Sequence, residues 1–193
     1  MAYTTIDNPA LFFNTVLYTG NGSTNTITGV GFQPDWVWIK NRSSSKDHNV
    51  FDVVRGVNKK LETNTTVAES TLGGGLQSFN TDGFTLGDHD EVNDNGDNHA
   101  SWNWKAGGTA VSNGNGSITS SVSANTTSGF SIVSYTGTGS VATIGHGLGV
   151  APKFIIVKTR SLSSEAWPVD ISCLLYTSPS PRDLSTSRMP SSA

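Results

Sequence analysis

Whatever this chain folds into, it has to fold much of it twice. Tyr18-Thr19-Gly20-Asn21-Gly22-Ser23 returns as Tyr135-Thr136-Gly137-Thr138-Gly139-Ser140. Pro34-Asp35-Trp36-Val37-Trp38-Ile39-Lys40-Asn41-Arg42-Ser43 returns as Pro152-Lys153-Phe154-Ile155-Ile156-Val157-Lys158-Thr159-Arg160-Ser161. The two offsets, 117 from Tyr18 to Tyr135 and 118 from Pro34 to Pro152, agree to one residue. Recurrence at a fixed spacing marks a structural or interaction module. It divides the chain into a complete copy, residues 1–112, a truncated second copy, residues 113–170, and a segment, residues 171–193, that does not continue the pattern.

Within each copy the apolar runs are short and punctuated by Gly, Asn, Asp and Ser. Strands are expected at residues 13–18, 36–39, 49–54, 57–63, 65–69, 76–79, 83–86 and 100–105, then at 118–122, 130–135 and 154–158. Gly20-Asn21-Gly22 supplies residues that tolerate positive φ at a turn. Residues 106–116 read as a Gly/Ser/Asn linker. No stretch sustains a helical period. Many short strands at this spacing predict an all-β fold, an antiparallel β-sandwich of jelly-roll or concanavalin A-like type.

Bulk chemistry narrows the partners. Charged residues make up 14% of the chain and the net charge is −3, with no basic stripe to follow a phosphate backbone, so nucleic acid is not expected. No apolar run is long enough to span a bilayer, and no basic-then-apolar leader opens the sequence, so neither membrane nor secretion is expected. Cys173 is the single cysteine, so no internal disulfide can form.

Several motifs carry a family resemblance. They are Met1-Ala2-Tyr3-Thr4-Thr5-Ile6-Asp7, Leu17-Tyr18-Thr19-Gly20-Asn21-Gly22, Gly31-Phe32-Gln33-Pro34-Asp35-Trp36-Val37-Trp38-Ile39-Lys40, His48-Asn49-Val50-Phe51-Asp52, Asp82-Gly83-Phe84-Thr85-Leu86-Gly87 and Trp102-Asn103-Trp104-Lys105-Ala106-Gly107-Gly108. Over residues 1–170 the chain resembles tandem modules of tailed-phage tail fibres and other virion structural proteins from uncultured phages. Those modules look like lectin-type, concanavalin-like sandwiches. The resemblance implies a virion location, contact with other virion proteins and a host-surface glycan as ligand, or else a spacer role. A homo-oligomer is compatible with it. Residues 171–193, with Cys173 and three prolines between Pro179 and Pro190, resemble translated sequencing-adapter read-through, which implies a non-native, disordered tail.

Candidate sites are few. Asp88, Asp90, Asp94 and Asp97 lie in an Asn-rich acidic loop. Carboxylates on such a loop suit calcium, a hard cation with oxygen ligands, and lectin-like sandwiches often hold one beside a sugar. The EF-hand pattern fails, because Trp102 stands where the closing Glu belongs, and a solvated loop of Asx turns accounts for the same residues. Trp36 and Trp38 are replaced by Phe154 and Ile156 in the second copy, which points to packing more than sugar stacking. Trp102 and Trp104 alternate with Ser101, Asn103 and Lys105, as on a half-buried strand with its apolar side inward. Lys40, Arg42, Lys158 and Arg160 suit solvated strand ends or pairing with a nearby acid. His48, His89, His99 and His146 are scattered, and no Ser or Cys signature marks a nucleophile, so no catalytic residue and no enzyme is expected. The rival functions are a glycan depolymerase or glycosidase, which needs two carboxylates at a set separation, and a bacterial surface adhesin repeat.

Overall fold

The computed structural model describes residues 6–170, and the tail expectation for 171–193 falls outside them. All pairing between strands is antiparallel, as expected of the sandwich. The first copy runs β1 (Phe13–Thr19), β2 (Asn25–Thr28), β3 (Trp36–Asn41), β4 (Asn49–Asp52), β5 (Gly56–Glu62), β6 (Ser70–Thr71), β7 (Leu76–Asn80), β8 (Gly83–Leu86), the helical turn α1 (Asp90–Asn93) and β9 (Asn98–Trp104). The second contributes β10 (Val111–Asn113), β11 (Ser120–Asn125), β12 (Phe130–Tyr135), β13 (Ile155–Ile156) and β14 (Val169–Asp170).

The larger sheet of the first copy has the order β1-β9-β3-β4-β5-β6, and the smaller has the order β2-β8-β7. Between them lies the core: Ile27, Val30, Phe32, Val37, Ile39, Phe51, Leu72, Leu76, Phe84, Leu86 and Val92, with Val16, Tyr18 and Phe79 packed against it. The pleat explains the choice. Successive residues of a strand face opposite ways, so Val37 and Ile39 go inward and Trp36 and Trp38 outward.

The registers carry this parity across the sheet. Phe13, Trp104 and Trp36 lie side by side, and so do Thr15, Trp102 and Trp38. The tryptophans therefore lie outside the sandwich core, which corrects the core position expected for all four, although Trp36 and Trp104 do pack, against Phe130. On β9 the inward residues are His99, Ser101 and Asn103, all fully buried. Backbone acceptors make this tolerable: Asn103 Nδ2 donates to Asn14 O at 3.1 Å and Ser101 Oγ to Val16 O at 3.4 Å.

Other departures are local. Residues 65–69 are not a strand, and β5 takes β4 and β6 as neighbours instead. β2 and α1 have too few residues to show a period. The expected linker is pinned rather than loose. Asp35, 2% exposed, accepts from Ala106 N at 2.8 Å and Gly108 N at 3.0 Å, and β10 follows at once.

The second copy rests on the first. Phe130 meets Trp36 at 6.3 Å, edge to face, and Trp104 at 6.2 Å, stacked. A strap after β13 lies against residues 62–69. Arg160 grips Glu69 with two bonds of 2.9 and 2.8 Å, Trp167 Nε1 donates to Glu62 O at 3.0 Å, and Glu69 N donates to Arg160 O at 2.8 Å.

Candidate functional site

Two regions concentrate chemistry. The first is the outer face of the larger sheet. Trp38 and Trp102 are half-buried and tilted against each other at 5.7 Å, and His48 lies 6.0 Å from Trp38. Thr15 and Leu17 of β1 flank them and are exposed. Lys40 closes one end, where its ammonium donates to Ser44 O at 3.4 Å and Lys46 O at 2.5 Å and folds the 41–48 loop beside the row. Burial and the nearby Lys40 charge hold the His48 imidazole below its ordinary range, so it is neutral at pH 7. Trp38 Nε1, His48 Nδ1 and Ser44 Oγ are shielded from solvent without a hydrogen-bond partner. Beside an aromatic surface, that leaves unused polar capacity. The neighbouring Phe13, Trp104 and Trp36 are occupied differently: Phe13 packs on Trp104 at 4.7 Å, and Phe130 lies against Trp104 and Trp36.

The second region is the acidic loop, where the structure separates the four predicted ligands. Asp90 pairs with Lys46, and this hydrogen bond lowers the Asp90 carboxyl and raises the Lys46 ammonium. The Asp97 carboxylate accepts from Asn41 Nδ2 at 2.8 Å. Asp88 is exposed at the start of the loop, and Asp94 ends α1. Among the described residues no three His, Cys, Asp or Glu side chains come together as a group able to hold a metal ion. The four carboxylates therefore offer calcium no shared cage here.

What the loop does hold is the glycine turn of the repeat. Asn93 is fully buried at the end of α1. Its Oδ1 accepts from Asn21 N at 3.0 Å and Asn25 Nδ2 at 2.9 Å. Its Nδ2 donates to Asn21 Oδ1, Ser23 O and Gly87 O at 3.0, 2.5 and 2.6 Å. Tyr18 Oη donates to Val92 O at 2.7 Å. Gly20 N donates to Asp97 O and Gly22 N to Asn93 O, at 2.8 and 2.9 Å. A Cβ on Gly20 would collide with Asp94 O, so only glycine permits this approach. Composition marked the loop as acidic, yet the working residue is a neutral amide that nothing in the spacing singled out.

The remaining expectations resolve individually. Arg160 finds an acid, Glu69, as the pairing reading anticipated. Lys158 repeats the loop-folding role of Lys40, donating to Glu165 O at 2.6 Å and to Thr66 O at 3.1 Å. His99 stacks on Tyr18 at 5.0 Å inside the first copy, and burial holds it below its ordinary range.

No curated protein and no solved structure matches the chain. A family profile does, and its match over residues 8–187 runs through both copies of the repeat, so the chain belongs to that family, a domain of unknown function (DUF7483).

Proposed function

We propose that this protein is a structural module of a phage virion, of a tail fibre or similar appendage, and that it binds host-surface glycan. Residues 1–112 are the self-contained module and residues 113–170 its docked companion. The observation that carries the binding reading is the half-buried pair Trp38 and Trp102 on an outer sheet face, edged by exposed Thr15 and Leu17. Flat aromatic surfaces suit the C–H faces of sugar rings. The tandem polar sandwich and the resemblance to tail-fibre modules supply the virion context. The action is binding without turnover.

A specific observation also favours the spacer reading. Phe130 and the Arg160–Glu69 pair lock the two copies together, as a stiff rod requires. One experiment separates the readings. The purified chain is applied to an array of bacterial capsular and lipopolysaccharide glycans beside Trp38→Ala and Trp102→Ala. Glycan binding is expected, weakened about tenfold or more in both variants. Silence across the array leaves the spacer. Binding indifferent to both tryptophans moves the site elsewhere, and shortened glycans would make the protein an enzyme.

A further inference from the structure

The first copy covers the inner face of its larger sheet with β2, β7, β8 and α1. The second copy carries the same face with no such cover among the described residues. Backbone geometry supports the correspondence as well as sequence does. Gly29 and Gly31, at φ 85° and 86°, match Gly147 and Gly149, both at 75°, and Gly22 at 63° matches Gly139 at 74°. Asn8 and Asn125 cap the turns before Phe13 and Phe130 in the same way, accepting from the N–H two residues on at 3.1 and 3.0 Å. β12, β13 and β14 are thus counterparts of β1, β3 and β4.

In the first copy Phe32, Val37 and Ile39 are 4%, 0% and 0% exposed. Their counterparts Val150, Ile155 and Val157 are 69%, 40% and 38% exposed. Tyr18 bonds to α1, whereas its counterpart Tyr135 is 41% exposed. A Cβ on Gly20 would strike the α1 loop, but one on Gly137 meets nothing within 4 Å. β9 joins β1 to β3, while among the described residues β12 is the last strand of its sheet and leaves an edge open. Phe130 holds the opposite face of β12 against the first copy, so the bare face points away from it.

We propose that this face is a docking surface for a polypeptide segment with the chemistry of residues 76–104. Such a segment brings an apolar hairpin, a helical turn bearing a buried Asn, and a strand that pairs with the free edges of β12 and β13. The hairpin covers Val150, Ile155 and Val157. The Asn seats in the turn at Gly137–Gly139, and Tyr135 donates to the carbonyl before that Asn, as Tyr18 does to Val92 O. Main-chain pairing supplies the affinity and the alternate pockets the selectivity.

The test adds a synthetic peptide of residues 70–107 to the full chain and maps amide hydrogen exchange. One peptide per chain is expected, with exchange at 130–136 and 154–158 slowed at least about tenfold and β1 and β3 unchanged. Tyr135→Ser and Gly137→Val in the chain abolish the effect. As a second arm, residues 70–107 are fused after residue 170, which removes any dependence on peptide affinity. The proposal is overturned if the fused chain exchanges at 154–158 as fast as the unfused one. It is equally overturned if the slowing maps to 13–41, or if sedimentation finds a dimer whose 130–136 and 154–158 segments are already protected without peptide.

Discussion

Asn93 concentrates five hydrogen bonds on one buried amide, tying α1 to the Gly20–Gly22 turn, to Asn25 and to Gly87. Truncation strands several polar groups away from water, which costs more than the bonds themselves contribute. Asn93→Ala should therefore lower stability by about 3 kcal/mol, read as a shift in urea midpoint, while exposed Asn95→Ala should stay within about 0.5 kcal/mol. Equal midpoints for the two variants would contradict this account. The sequence showed Gly20-Asn21-Gly22 to be a turn, because the turn chemistry is local. It could not show that the turn is a receptor, because the group it receives lies some 70 residues away and is one Asn among many. The same limit explains β9: alternation found the two faces, but Ser101 and Asn103 are small enough to be buried once backbone acceptors meet them, so polarity pointed the wrong way.

Among the elements, β12 works through the side that carries Phe130. That ring lies against Trp36 and Trp104 of β3 and β9, and an aromatic contact of this kind is worth about 1 kcal/mol beyond its buried area. Phe130→Ala should detach the second copy before the first unfolds. Tryptophan emission should shift to the red, and proteolytic nicking within 130–160 should quicken at least about fivefold, with the melting of the first copy little changed. A single transition that falls for both copies together would show them to be one cooperative unit. Strand existence was legible where an apolar run, as in β1 and β3, or an alternation, as in β9, marked it. β2, β6 and β14 are too short to carry a period and owe their pairing to neighbours, whereas β13 falls within the strand expected at 154–158.

At the scale of the molecule, acid should act in two stages. Burial holds His99 below its ordinary range, so the folded state favours the neutral ring. Its contribution is complete above about pH 6.5 and is lost as pH falls from there through the lowered value. Glu69 follows. Burial alone would raise its carboxyl, but hydrogen bonds from Arg160 and Arg55 outweigh burial and hold it low. Its contribution is complete above about pH 4.3 and is lost as pH falls through the depressed value. Thermal melts should first decline below about pH 6.5, and hydrogen exchange at Ala68 and 155–157 should quicken only at lower pH. In Glu69→Gln the strap should already be loose at neutral pH, without a further change between about pH 5 and pH 3. An unaltered acid profile in that variant would remove Glu69 from the role.

The contact through Phe130 also bears on how such units can assemble. Phe13 and Phe130 are counterparts, so the side of the second copy that meets the first is the side it meets. Like-to-like contact is approximately two-fold and closes on itself, whereas open-ended growth needs two different surfaces. Here the like-to-like match is confined to the aromatic face, because the strap sets Arg160 and Trp167 on Glu69 and Glu62, which are not their counterparts. The aromatic face is spent within the pair, so a further unit has to be added through unlike surfaces such as those of the strap.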